Sequence, residues 1–93
     1  MIVSFKDKEA EKIWHGIISH KLPFEIQETA RRKSRMLNNS HSLIDLKVPP
    51  ANKLEYMKGS RKGQYSIRIN NQWRICFIWS RNNCYNVEII DYH

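Results

Sequence analysis

Little in this chain lends itself to covalent or metal cross-linking. Its 93 residues include only two cysteines, Cys76 and Cys84, too few for a disulfide framework. On a hairpin turning at Arg81-Asn82, Cys84 falls opposite Trp79 and Cys76 opposite Val87, a register in which the two thiols do not meet. Both are therefore expected to be reduced, which points to a cytoplasmic protein. Residues 1–5 are too short for the apolar core of a signal peptide, and no run approaches the roughly 18 apolar residues of a membrane span. His15 and His20 do not share a helix face, and no cysteine or acid completes a ligand set, so neither metal nor cofactor is expected. Dinucleotide-binding, Walker A, HExxH and paired CxxC motifs are absent, as are internal repeats. Acidic residues are scarce as well: nine stand against sixteen Lys and Arg, giving a net charge of +7 and a pI near 9.7. Such an imbalance favours a polyanion partner, most often nucleic acid.

Apolar residues at 41% and charged residues at 27% describe an ordinary folded chain. The length suits a single domain, 1–93, with one modest core. Residues 1–5 are β-branched and aromatic and predict a short strand. Asp7 is placed to cap a helix whose apolar stripe runs Ala10, Ile13, Trp14, Ile17, Ile18, so Trp14 is expected in the core. Pro23 opens a second helix over 24–38, with Phe24, Ile26, Ala30 and Leu37 inward. Arg31, Arg32, Lys33 and Arg35 crowd its second half, as a solvated face or a second RNA-contacting patch. Pro49-Pro50 excludes regular structure from the loop 41–52. Four β segments follow: an edge strand at 54–57, an alternating strand at Tyr65, Ile67 and Ile69, a central strand at 73–80 and a last one at 84–92. Asn70-Asn71 suggests a tight turn built on positive φ. The fold class is α+β, summarised as the order β-α-α-β-β-β, with two N-terminal helices packed on one face of a mainly antiparallel sheet.

The chemistry concentrates in residues 53–74 and in the last three positions. The first stretch carries Lys53, Lys58, Arg61, Lys62, Arg68 and Arg74 against one acid, Glu55. Arg74 stands out, because a guanidinium inside an apolar strand is costly unless it meets an anion. Either a phosphate or Glu88 on the neighbouring strand would satisfy it. Arg61 and Lys62 read as loop cations that add affinity through counterion release. Asp91, Tyr92 and His93 end the last strand beside Arg74, as a frayed terminus or as proton-handling groups next to a cation. RNA transesterification needs a base for the 2′-OH, cations for the developing phosphorane and an acid for the leaving 5′-oxygen.

The opening IVSFKDKEAEKIW, the run LEYMKGSRKGQYSIRINNQWRICF and the terminal DYH resemble HigB-type toxins of the RelE/ParE superfamily, over nearly the whole chain. The resemblance implies a compact RelE-like fold and a type II toxin–antitoxin toxin that cleaves mRNA in the ribosomal A site. It implies a HigA-like antitoxin as inhibitor, the 30S A site with its rRNA and mRNA as further partners, no membrane, and DNA only through the antitoxin. On the matching positions, Lys58 and Arg74 hold the scissile phosphate, and Asp91, Tyr92 and His93 form the C-terminal functional cluster. Arg31, Arg32, Lys33, Arg35, Arg61, Lys62 and Arg68 would grip RNA. Glu55 departs from the histidine some members carry there, and a carboxylate suits a base better than an acid near neutrality. That leaves Glu55 or Asp91 as base and His93 as acid. A toxin of the ParE type, inhibiting gyrase by protein binding, and a non-catalytic RNA-binding module are the alternatives.

Overall fold

The computed structural model describes residues 1–92. Two helices, α1 (Lys8–Trp14) and α2 (Phe24–Asn39), are followed by β1 (Glu55–Tyr56), β2 (Tyr65–Arg68), β3 (Trp73–Ser80) and β4 (Asn83–Asp91). The strands form one antiparallel meander in the order β1-β2-β3-β4. The expected α+β class, with helices on one face of an antiparallel sheet, is what the chain adopts. Ala10 and Ile13 of α1 and Ile26, Ala30 and Leu37 of α2 pack on Ile67, Ile75, Phe77, Val87 and Ile89 of the sheet.

Local chemistry explains where the elements differ from expectation. Asp7 Oδ1 accepts from Glu9 N at 2.8 Å and caps α1 as the sequence suggests. The helix ends four residues sooner than its apolar stripe. Gly16 at φ +76° lets Gly16 N donate to Ile13 O and Ile17 N to Lys12 O, the paired bonds of a Schellman stop. Ile17 and Ile18 are consequently exposed and Trp14 is only half-buried. Phe24, expected inward, is 73% exposed at the first position of α2. The 41–52 loop is not irregular throughout: Leu43–Lys47 and Pro50–Asn52 form short 3₁₀ turns, the first capped by Asp45, whose Oδ2 accepts from His41 N and Ser42 N.

The N-terminal segment lies against β4 in parallel, but only as isolated bridges at Ile2 and Phe5. A bulge in β4 interrupts it: Ile78 pairs with Tyr85, yet Cys76 pairs with Glu88, so two residues of β4 oppose Phe77. Asn86 supplies the bulge at φ +53°. The predicted pairing of Cys76 with Val87 is thereby shifted by one, whereas that of Cys84 with Trp79 holds. Both cysteines are buried and free. The turn at Asn70 works through its side chain rather than through positive φ, Oδ1 accepting from Gln72 N and Trp73 N. Positive φ appears instead at Arg81 and Asn82, between β3 and β4. No helix among the described residues is long and apolar enough to cross a membrane.

Candidate active site

Alternation along β3 sends Ile75 and Phe77 into the helix-covered core and leaves Arg74 and Cys76 on the other face of the sheet. A cleft of about 520 Å³ borders that face, lined by Glu55, Lys58, Arg61, Asp91 and Tyr92 together with apolar Met57 and Ile90. A second depression of about 380 Å³ lies at the α1–α2 corner among Ile17, Ile18 and Phe24, and Arg31 is the one predicted site residue there.

Arg74 lies beside the cleft, against its Tyr92 wall. It is 6% exposed, and its Nε donates to Ser66 Oγ at 2.7 Å while NH2 donates to Lys53 O at 2.5 Å and Ser66 O at 3.3 Å. Glu88, one of the two anions the sequence offers it, is not its partner. Glu88 is engaged elsewhere, and every acceptor Arg74 meets is neutral, so among the described residues its charge is solvated by dipoles but not cancelled. Register makes this possible: Ser66 stands opposite Cys76, two residues along from Arg74 and on the same face. Tyr92 covers the guanidinium, its ring centroid 5.6 Å from Cζ, a cation–π distance.

Tyr92 also reaches across the cleft, its hydroxyl donating to Glu55 Oε1 at 3.0 Å. That bond, followed by the Glu55 charge, holds the phenol above the ordinary tyrosine range. Asp91 Oδ2 accepts from Gln72 Nε2 at 3.0 Å, and Tyr92 N donates to Gln72 O at 2.6 Å, so the loop before β3 fixes the end of β4. Lys58, at the start of the Gly59–Arg61 turn, is exposed, and its ammonium has no partner among the described residues. His93 lies outside the described residues. Glu55, Lys58, Arg74, Asp91 and Tyr92 are therefore brought together.

The RNA-binding candidates divide. Arg32, Arg35 and Lys62 are exposed, and Arg68 donates to Asn71 Oδ1. Arg61 turns into the cleft wall, where NH1 donates to Glu88 Oε1, and this hydrogen bond raises its already high pKa. Lys33 is a correction: it is 5% exposed, donates Nζ to Asn52 Oδ1 and cannot belong to a surface patch. Burial, followed by the nearby Arg32, Arg68 and Arg74 charges, holds its ammonium below the ordinary lysine range. The signal was present, since Lys33 stands three residues after Ala30 and four before Leu37, on the apolar stripe. Ser66 and Gln72, which orient Arg74 and Asp91, carry no sequence signal of their own. No His, Cys, Asp and Glu grouping able to hold a metal occurs among the described residues.

Residues 3–93 match the HigB-like toxin family, described as the RelE-like toxin of the type II toxin–antitoxin system HigB. The chain is similar to Toxin HigB-1 of Vibrio cholerae, 38% identical over 80 residues, covering 85% of this chain and 84% of that protein. It is also similar to Endoribonuclease HigB of Proteus vulgaris, 26% identical over the full length of both. Among solved structures, a YafQ mutant from E. coli superposes with a TM-score of 0.65 at 13% identity, over 98% of this chain and 91% of that one.

Proposed function

The chain belongs to the HigB-like family of RelE-like toxins of type II toxin–antitoxin systems, and on that premise we propose that it is an endoribonuclease cleaving mRNA in the ribosomal A site. The observation that carries the reading is Arg74: a buried guanidinium with only neutral acceptors, packed against Tyr92 of a cleft that holds Lys58, Glu55 and Asp91. Its field acts on a phosphate through a medium of low dielectric.

In the proposed reaction the 2′-oxygen attacks the scissile phosphorus and the bond to the 5′-oxygen breaks, leaving a 2′,3′-cyclic phosphate and a 5′-hydroxyl. Asp91 can take the 2′-proton directly. The geometry favours Glu55 acting through Tyr92: as the 2′-proton passes to Tyr92 Oη, the phenolic proton moves to Glu55 Oε1, already 3.0 Å away. Arg74 and Lys58 stabilise the phosphorane charge, and His93, by the family resemblance, protonates the 5′-oxygen. Few groups here can align the 2′-OH for in-line attack, an effect worth several kcal/mol, and we assign that task to the ribosome. Arg32, Arg35 and Lys62 supply cations for rRNA. A HigA-like antitoxin is the inhibitor, DNA is met only through it, and the cytoplasm is the setting.

Primer extension on mRNA in a reconstituted translation reaction tests the proposal, with Arg74→Ala and His93→Gln as controls. Discrete A-site cuts that vanish in both folded variants are expected. No cuts from the folded wild type would overturn the nuclease reading in favour of a toxin that acts by protein binding.

A further inference from the structure

Glu88 is an anomaly on this face. It is a carboxylate 8% exposed, beside a cleft otherwise arranged for a polyanion, where an acid repels the ligand. Its two oxygens are divided between separate parts of the chain. Oε1 accepts from Arg61 NH1, and Oε2 lies 3.7 Å from Lys6 Nζ on the N-terminal segment. Arg61 sits in the turn between β1 and β2, which leaves the sheet between Gly59 at φ +66° and Gly63 at φ +95°. Apart from Glu88, the Arg61 side chain hydrogen-bonds among the described residues to Gln64 Oε1, at 3.4 Å and again through NH1. The N–H groups on Nε and NH2 have no acceptor among the described residues, and the side chain lines the cleft beside Lys58. One edge of a planar fork is held and the other is free, the form suited to gripping a phosphate.

We propose that Glu88 is a positioning residue that fixes Arg61 as a phosphate-binding cation of the cleft, for a backbone phosphate adjoining the scissile one. This deepens the nuclease reading and rests on it. An unheld arginine on a turn between two glycines loses rotamer freedom whenever it binds. Holding NH1 on a buried carboxylate removes that loss beforehand, and the short side chain of Glu88 keeps its own charge behind the guanidinium.

The test is a double-mutant cycle on the affinity for a labelled 2′-O-methyl RNA oligonucleotide, which binds but cannot be cleaved. Arg61→Ala weakens binding about tenfold and flattens the slope of log K against log salt by about 0.7, one phosphate contact on a single strand. Glu88→Ala also weakens binding, by about three- to tenfold, although it deletes a negative charge from the site. The double variant binds within about twofold of Arg61→Ala alone, since the two act as a unit. Glu88→Gln, whose amide oxygen still accepts from Arg61, stays within about threefold of wild type. Arg61→Lys keeps the charge, loses the fork and binds about fivefold more weakly, a result readable whatever Glu88→Ala does to folding. Binding by Glu88→Ala as tight as wild type or tighter, losses that multiply in the double variant, or Arg61→Lys equal to wild type would each overturn the proposal. Loss of the nuclease reading shows separately, as wild-type protein that binds the oligonucleotide yet leaves mRNA intact in translation.

Discussion

Replacing Arg74 by lysine separates charge from shape. The guanidinium is held by Ser66 Oγ, Ser66 O and Lys53 O through Nε and NH2, and NH1 has no acceptor among the described residues. A lysine ammonium satisfied by the same acceptors sits further back. At an effective dielectric of about 20, a unit charge 4 Å from a phosphate oxygen contributes about 4 kcal/mol, and at 6 Å about 2.8 kcal/mol. Retreat alone therefore costs about 1.4 kcal/mol, or tenfold in rate. Losing a positioned donor to developing charge costs about 2.7–4 kcal/mol where it has been measured in other enzymes. Between these bounds, Arg74→Lys should slow cleavage about a hundredfold. Its cost to the fold is smaller: the lost hydrogen bonds were to neutral groups, and a change of about 1 kcal/mol moves Tm by about 4–8 °C in a domain of this size. Single-turnover cleavage in a translation reaction, with Tm measured alongside, separates the two effects. A folded lysine variant that cuts within threefold of wild type would refute the claim that this residue acts through its fork.

The Glu55–Tyr92 relay predicts that Glu55→Gln and Tyr92→Phe each slow cleavage about a hundredfold and that the double variant is no slower, whereas multiplied losses would return the base role to Asp91. In an ultraviolet titration of the wild type, the Tyr92 phenol should ionise above its ordinary value of 10.0, and Glu55→Gln should bring it down. Asn52→Ala strips Lys33 of its acceptor and frees the carbonyls of Leu46 and Val48, at a cost of about 3 kcal/mol in urea unfolding. Because Lys33 is held below 10.5, the folded chain binds fewer protons than the unfolded one in that window, so stability rises with pH there. Removing the acceptor lowers the Lys33 pKa further, so the Asn52→Ala deficit should shrink from pH 7 towards pH 10; a deficit that grows would refute the assignment. Cys76 and Cys84, both pushed up to about 11 by burial, should resist a thiol reagent in the native state at neutral pH and react in denaturant.

Patterns that depend on chain-local periodicity were legible in advance. Asp7 as a cap, the core positions Ile26, Ala30 and Leu37, the two-residue turn at Arg81-Asn82 and the convergence of Lys58, Asp91 and Tyr92 with Arg74 beside them all follow from spacing, residue type or family resemblance. What escaped depends either on one local residue or on partners remote in sequence. The end of α1 is decided by one glycine, against an apolar stripe that continues to Ile18. Lys33 is tolerated inside because Asn52, nineteen residues on, supplies an oxygen. Arg74 finds carbonyls rather than Glu88, and no pattern in the sequence announces a backbone acceptor.

The extra residue in β4 has a consequence for the whole C-terminal end. A strand assigns its side chains to two faces by odd and even position, and Asn86 reverses that assignment once. Ahead of it Cys84 points to the helices; beyond it Val87 and Ile89 do, and Glu88 and Tyr92 fall to the cleft side. Deleting Asn86 would exchange the two sets, turning a carboxylate and a phenol towards the core and presenting valine and isoleucine to the cleft. The make-up of the cleft thus hangs on the parity of a count, and an exposed residue that lines neither cleft nor core sets it.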